Sequence, residues 1–304
     1  MKRLFFQISA VALLQVTFSF HCLGSDTYTL QLNLEKGHIY RQHLVTDMNV
    51  KTDAMGQETN VSLLSDMIML FEVVEERDDA YKIKASYHRI KINTAVPGSS
   101  RVIVVDSDSP ENSTSKKICD VFQTIIGMTM DIELTRQGKI KYIDGADRLA
   151  EKFNVITNEQ QRQIFSKQFS ENALTETLQN IIACFPDKPV AINESWDIAL
   201  NVSFEEGAEN TDAIHLTLKE VKGDIALLED MSNYSVPRGN SSLHLQGMSA
   251  KVLAEGEENG IIYIDMKTGW ITRSEITQTY KENIKLMGQS IVENYVIKTI
   301  VTTN

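Results

Sequence analysis

Few groupings of residues in this 304-residue chain could act as nucleophiles, bases or metal ligands. Ser113-Thr-Ser-Lys116 has the Ser-x-x-Lys spacing with which a lysine amine activates a serine hydroxyl for acyl transfer. That chemistry needs companion motifs. No Ser-Asp-Asn follows, and Lys267-Thr268-Gly269 reads as a hairpin turn. The cluster lies in a Ser/Thr-rich helix start, where hydroxyls cap the backbone. His38 and His43 are five apart, which puts them on opposite faces of one strand and separates them as ligands. Asp106-Ser-Asp108-Ser-Pro-Glu111 offers three carboxylates. A calcium loop requires glycine where Glu111 stands, and Pro110 replaces a ligand, so this run reads as a solvated acidic loop. There is no His-Glu-x-x-His, Cys-x-x-Cys, Gly-x-Ser-x-Gly or glycine-rich phosphate loop. The residues assign no catalytic group, no metal and no cofactor, and the expectation is a protein that is not an enzyme.

The remaining reactive residues are three cysteines, Cys22, Cys119 and Cys184. Lys2 and Arg3 precede an apolar run from Leu4 to Phe20, the pattern of a secretory signal peptide. Lipid attachment at Cys22 calls for a small residue before it, and His21 stands there. A cut after Gly24 satisfies the small-residue rule with Gly24 and Cys22. The expectation is a signal peptide over 1–24, export to the periplasm or beyond, and a mature chain with Cys119 and Cys184. These pair as a disulfide, closing a loop of roughly 65 residues worth about 4 kcal/mol in the chain-entropy model, or stay as two buried thiols. A net charge of −11 and a pI near 5.1 exclude nucleic acid and anionic membrane surfaces as electrostatic partners. No later stretch is long and apolar enough for a transmembrane helix.

The elements that must position any site are mostly strands. Tyr28, Leu30, Leu32 and Leu34 alternate with polar residues, as do Tyr81–Tyr87 and Trp196, Ile198, Leu200, Val202 and Phe204. Period two with one polar face means antiparallel strands covered on one side. Further strands are expected over 38–52, 58–75, 101–106, 131–135, 139–143, 212–221, 224–230, 242–256, 260–266, 270–282 and 289–302. Turns are expected at Gly37, Gly56, Gly138, Gly223, Asn259-Gly260 and Gly269. Two stretches have helical period: one from Ser113, the other from Thr157 with a break near Ser170 and an end at Pro186. The fold class is therefore α+β: two mostly antiparallel β-sheet regions, curved or open half-barrels, around a central helical segment. The divisions are 25–110, 111–186 and 187–304. Met55-Gly56-Gln57 and Met287-Gly288-Gln289 form an internal echo, explained by duplication or by common hairpin chemistry.

"YTLQLNLEKGHIYRQHL", "LTRQGKIKYIDG", "CFPDKPVAINESWDI" and "GIIYIDMKTGWITRSEI" span nearly the whole mature chain. In these stretches the chain resembles an uncharacterised family of exported bacterial β-rich proteins, a domain of unknown function. Where a glycine-containing turn is expected before Trp196, this chain has Ile-Asn-Glu-Ser, so Asn193 takes the bend. The resemblance implies an exported β-rich protein and transfers no catalytic residue. The functional expectation is non-catalytic binding of a lipid or other apolar ligand between sheet and helices, with Trp196, Phe204, Tyr263 and Trp270 as lining candidates or plain core. The alternative is a structural or protein–protein interaction role in the cell envelope.

Overall fold

Alternation over long runs becomes long antiparallel strands. In the computed structural model, residues 26–95, 102–202, 210–236, 242–245, 248–286 and 288–304 are described. Strands β1 (Thr27–Tyr28), β2 (Ile39–Ala54), β3 (Gln57–Glu76), β4 (Ala80–Ala95) and β5 (Val102–Asp106) come first. Helix α1 (Lys116–Ile125), strands β6 (Thr129–Thr135) and β7 (Ile140–Asp144), and helices α2 (Ala146–Glu151), α3 (Glu159–Gln168) and α4 (Glu171–Gln179) follow. Then come β8 (Val190–Ala191), β9 (Ser195–Val202), β10 (Asn210–Lys222), β11 (Ile225–Val236), β12 (Ser242–Leu245), β13 (Met248–Asp265), β14 (Ile271–Leu286) and β15 (Gln289–Thr303). The fold is mostly antiparallel β, with 60% strand against 15% short helix, so the helices are a minor partner to the sheet.

The two expected sheet regions are arms of one sheet. Its path runs β7-β6-β4-β3-β2-β15-β14-β13-β11-β10-β9 and does not close. Among the described residues, only β1 and β8 form a separate pair. The arms join where β2 meets β15, from Ala54↔Ile291 to Gln42↔Thr303. The hairpins that share the Met-Gly-Gln echo, β2–β3 and β14–β15, therefore lie side by side at the centre. Gly56 and Gly288 both take positive φ at their tips, which glycine adopts without steric cost.

One face of this sheet, the inner face, meets the helices in a continuous apolar core. Tyr40, Leu44, Met69, Phe71, Ile83, Leu228, Ile264 and Val301 belong to it, together with Ile118, Phe122, Phe153 and Leu178 from the helical segment. Phe122, Phe153, Phe165 and Phe169 form an aromatic cluster with ring centroids 4.8–6.2 Å apart. The break near Ser170 falls between α3 and α4 as expected, and Asn193 takes the bend at φ 68°.

Four readings are corrected. Leu30, Leu32 and Leu34 are buried, but only Thr27–Tyr28 pairs as strand. The rest threads between two turns, with Leu32 N–H donating to Arg136 O (2.7 Å) and Asn33 N–H to Thr268 O (2.8 Å). Asn259-Gly260 is not a turn and lies inside the 18-residue β13. Ser113 and Thr114 do not cap α1: their hydroxyl oxygens accept from the β5 amides of Asp106 (2.9 Å) and Val104 (2.8 Å). Asp106 is not solvated. It is 5% exposed and pairs with Lys91 at 3.2 Å. Burial works to raise its carboxyl, and the bonds from Lys91 and the Asp108 amide outweigh it, leaving it below the usual range.

Candidate functional site

Alternation along β11 places Ala226, Leu228, Asp230 and Ser232 on the inner face, and all four are buried. An aspartate thus occupies a core position. On β13 the same face carries Gly256, Glu258, Gly260, Ile262 and Ile264, with Glu258 3% and Asp230 1% exposed. The register sets Asp230 opposite Gly260 and Ser232 opposite Glu258. Across the other edge of β13, Gln278 of β14 stands opposite Glu258. Ser232 Oγ donates to Asp230 Oδ1 (2.5 Å) while accepting from the His215 amide (2.8 Å), and Gln278 Nε2 donates to Glu258 Oε2.

Glycine makes room for this pair. Gly256 and Gly260 stand two residues either side of Glu258, so on the inner face the acid has no side chain next to it along its own strand. β14 uses the space: a Cβ on Gly256 would sit 2.4 Å from Tyr280 Cβ, and one on Gly260 would sit 2.8 Å from Ile276 Cγ1. Beside the pair lies a cavity of about 70 Å³ between the sheet and the chain following α4. Ile182, Ile198, Ile214, Ile262, Ile271 and Ile276 supply its apolar wall, and Asp230, Glu258, Gln278, Thr299, Gln179 and Asn180 its polar groups.

The Asp230 carboxyl is pushed up to about 8, first by burial, then by its hydrogen bond to Glu258 and that residue's charge. Asp230 therefore carries its proton near neutral pH and donates it in the hydrogen bond to Glu258. Such a pair can hold a hydrogen-bond donor or a cation. Nucleophilic chemistry is poorly served. The nucleophile in the lining, Cys184, is buried, which pushes its thiol up to about 12.

A second acidic pair lies further along the same face. Glu282 of β14 and Glu293 of β15 are cross-strand partners, with Tyr280 and Tyr295 stacked beside them (centroids 4.3 Å apart, planes 11° apart). Tyr295 OH donates to Glu293 Oε2 (2.5 Å), and Thr52 Oγ1 donates to Glu293 Oε1 (3.1 Å). Burial and the Glu293 charge raise the Glu282 carboxyl.

The residues singled out from sequence fall elsewhere. Trp270 is 2% exposed, stacked on Tyr40 (4.5 Å) and edge-on to Phe71 (5.4 Å), a core aromatic. Trp196 faces inward beside the cavity wall and donates through Nε1 to Cys184 O (3.4 Å). Tyr263 is on the outer face, and Phe204 lies outside the described residues. Cys119 and Cys184 are not bonded to each other. Both are free and buried: Cys119 Sγ donates to Asp106 O (3.3 Å), while Cys184 Sγ accepts from Gln179 Nε2 (2.7 Å). Cys22 and the expected signal peptide lie outside the described residues. On the outer face Asp197 bonds His215 Nδ1 (2.7 Å), with Ser195 two residues along. Ser195 bonds Thr217 (2.8 Å), so the trio is not a relay. Among the described residues no group of three His, Cys, Asp or Glu is placed to hold a metal, and no helix is long and apolar enough to cross a membrane.

Asp230 and Glu258 went unread because acids in a strand read as solvent-facing. Their signals are parity and spacing: Asp230 continues the apolar row Ala226, Leu228, and Glu258 is bracketed by Gly256 and Gly260.

No curated protein matches the chain. Among solved structures, a lipovitellin structure titled for its lipid–protein interactions aligns over 90% of this chain, with 9% identity and a TM-score of 0.48. This chain spans 25% of that one. OpdQ of Pseudomonas aeruginosa aligns over 87% of this chain and 99% of its own, with 8% identity and a TM-score of 0.24. An outer-membrane channel of Pseudomonas putida F1 aligns over 90% and 97%, with 8% identity and a TM-score of 0.23. At these scores the likenesses say nothing of ligand or activity. A family model does match, over residues 78–271, and by it the chain belongs to the family of unknown function DUF6263.

Proposed function

We propose that this is an exported cell-envelope protein that binds a lipid or other apolar ligand without catalysis, held on the inner face of its sheet. The observation that carries this reading is how burial changes along the central strands. On β2 the inward residues Tyr40, Gln42 and Leu44 are buried, whereas Met48 and Val50, further along the same face, are only half-buried. Val61 and Leu63 on β3, Ile284 on β14 and Ile291 and Ile297 on β15 continue this half-covered apolar surface. β3 alone, at 20 residues, is about 66 Å long, far more than one core requires. The 70 Å³ cavity is smaller than the roughly 300–1,000 Å³ of a drug-sized site, so it would take one end of a ligand while the chain lies along this face.

The test is native mass spectrometry of protein expressed with its N-terminal segment and purified without detergent. A co-purified apolar molecule, displaced when Val50 and Leu63 are both changed to Asp, is the expected result. A bare mass, with no uptake of a fluorescent fatty chain, would remove the reading. A second reading, a structural or interaction role, is favoured by the open ends of the sheet. β7 and β9 each present an edge to which another strand could pair. Self-association lost on placing Pro in β9 would support it over ligand binding.

A further inference from the structure

The cavity has two unlike walls. One is the sheet, whose lining residues sit on strands laddered to their neighbours from β9 to β15. The other is a single stretch of chain at and beyond the end of α4: Gln179, Asn180, Ile182, Ala183 and Cys184. Among the described residues, the main chain between α4 and β8 makes one bond to main chain elsewhere, from Phe185 N–H to Gln137 O (2.9 Å). Two side chains of the sheet also donate to it, Gln42 Nε2 to Ile181 O (3.1 Å) and Trp196 Nε1 to Cys184 O (3.4 Å). The stretch ends in β8, and the ladder partner of β8 is the two-residue β1, with Thr27 opposite Ala191 and Tyr28 opposite Val190.

β1 runs on into a strap that buries Leu30, Leu32 and Leu34. Successive amides of an extended chain point to opposite sides, and the strap uses both. Leu32 N–H reaches Arg136 O in the β6–β7 turn, and Asn33 N–H reaches Thr268 O in the β13–β14 turn. The sheet, open as a ladder, is thus tied across this end by two single main-chain bonds. The β6–β7 turn that receives the strap at Arg136 receives the cavity wall at the next residue, Gln137. Two glycines permit these approaches. A Cβ on Gly138 would lie 1.9 Å from Ala183 O of the wall, and one on Gly269 would lie 2.1 Å from Gln31 O of the strap. Where the strap joins β2, Gly37 takes φ 86° in open space. One N-terminal segment therefore holds both the turn on which the wall rests and the strand in which the wall ends.

Resting on the binding role proposed above, we infer that Thr27–Leu34 is a latch on the cavity. When β1 and the strap let go, pivoting about Gly37, the stretch from Asn180 to Ala191 lifts from the sheet and the cavity opens to the ligand. The closed volume of about 70 Å³ is room for a few non-hydrogen atoms, so a longer part of an apolar molecule enters only when a wall moves. The sheet wall yields only by breaking long ladders. The other wall is held by single bonds and by a two-residue pairing, and such a unit opens at a lower free energy than the sheet. Burial of the three leucines keeps the latch closed at rest.

The test locks the latch with Thr27→Cys/Ala191→Cys. The two positions are cross-strand neighbours, at a separation that a disulfide spans. Peptide mass mapping confirms the bond between them. Two readouts follow in the oxidised and reduced forms: hydrogen exchange of the peptide covering residues 180–191, and the rate of uptake of a fluorescent fatty chain. Oxidation is expected to raise protection of that peptide and to slow uptake, each at least about 10-fold, with reduction restoring both. Leu32→Ala should act in the opposite direction on both while exchange in β2 and β15 is unchanged. If Leu32→Ala fails to fold, the disulfide comparison decides alone. Equal protection of residues 180–191 in the oxidised and reduced forms overturns the tie between strap and wall. Protection that changes while the uptake rate does not overturns the gating. Either outcome leaves the apolar-ligand reading standing. No uptake by the wild type or by either form of the variant removes that reading and the gate with it.

Discussion

At the scale of single residues, the conspicuous fact is a carboxyl where the fold calls for a leucine. Asp230 has a folded pKa near 8, against about 3.9 in an unfolded chain. Between those values the folded state holds a proton that the unfolded state has lost. Stability is therefore greatest below about pH 4, falls as pH rises toward 8, and is level above that. Asp230→Asn keeps the shape and removes the titration. Thermal melts should show the variant close to wild type below about pH 4 and more stable at pH 8 by a few kcal/mol, or several °C. A variant less stable at both pH values would mean that the carboxyl is held ionised. The cysteines give a second residue-scale prediction. Both are buried and unbonded, and Cys184 is raised to about 12, so in a chain starting at Ser25 neither should react with Ellman's reagent at pH 8 until the protein is unfolded. Two thiols should then appear, and an intact mass two daltons short would instead show a disulfide. Neither feature was plain in the sequence. Burial of an acid is visible only by counting parity from Ala226, and cysteine pairing depends on where Asp106 and Gly138 bring each thiol, far apart in the chain.

At the scale of elements, period two located nearly every strand, because each has one covered and one wet face and the alternation is the physical signature of that. It failed where chain chemistry carries two meanings. Asn259-Gly260 has turn composition, yet the glycine serves a straight, closely approached strand, in which the absence of Cβ matters more than freedom in φ. Leu30 to Leu34 alternate in burial without a ladder, since single hydrogen bonds to two turns replace a neighbouring strand. The contacts at the β13 glycines rank two substitutions. Gly256→Ala would put Cβ 2.4 Å from Tyr280 Cβ and 2.5 Å from Thr279 O, with backbone held on both sides. Gly260→Ala meets chiefly Ile276 Cγ1 at 2.8 Å, a side-chain atom that can move. Urea melts should show Gly256→Ala destabilised by about 1–3 kcal/mol, the usual range for overpacking, and Gly260→Ala by less. The reverse order would mean that β14 is free to move away from Gly256.

At the scale of the molecule, sequence order and spatial order part company. Reading along the chain gives a β region, a helical segment and a β region, and suggests two sheets with helices between them. In space the first and last long strands are neighbours, and β3-β2-β15-β14 is the centre of a single sheet. No local pattern announces that pairing, because β2 and β15 are more than 200 residues apart and alternate no differently from strands at an edge. It has a sharp consequence for the segment that the family model spans, residues 78–271. That segment contains β4 to β13 and omits all but the first residue of β14, together with all of β2, β3 and β15. It thus holds both flanks of the sheet and none of the bridge between them. Without the bridge, Ile83 and Ala85 on β4 lose the cover of Phe71 and Val73, and Ile262 and Ile264 on β13 lose β14. Each flank would expose a long unpaired edge beside uncovered apolar surface, a state prone to aggregate. A fragment of residues 78–271 should therefore show no cooperative urea transition and should be rapidly digested by a non-specific protease. Residues 26–304 should unfold in one transition and resist digestion. A cooperative transition in the fragment would mean that the flanks are independent units and that the central hairpins are an addition to a self-sufficient fold, not the seam that makes it one.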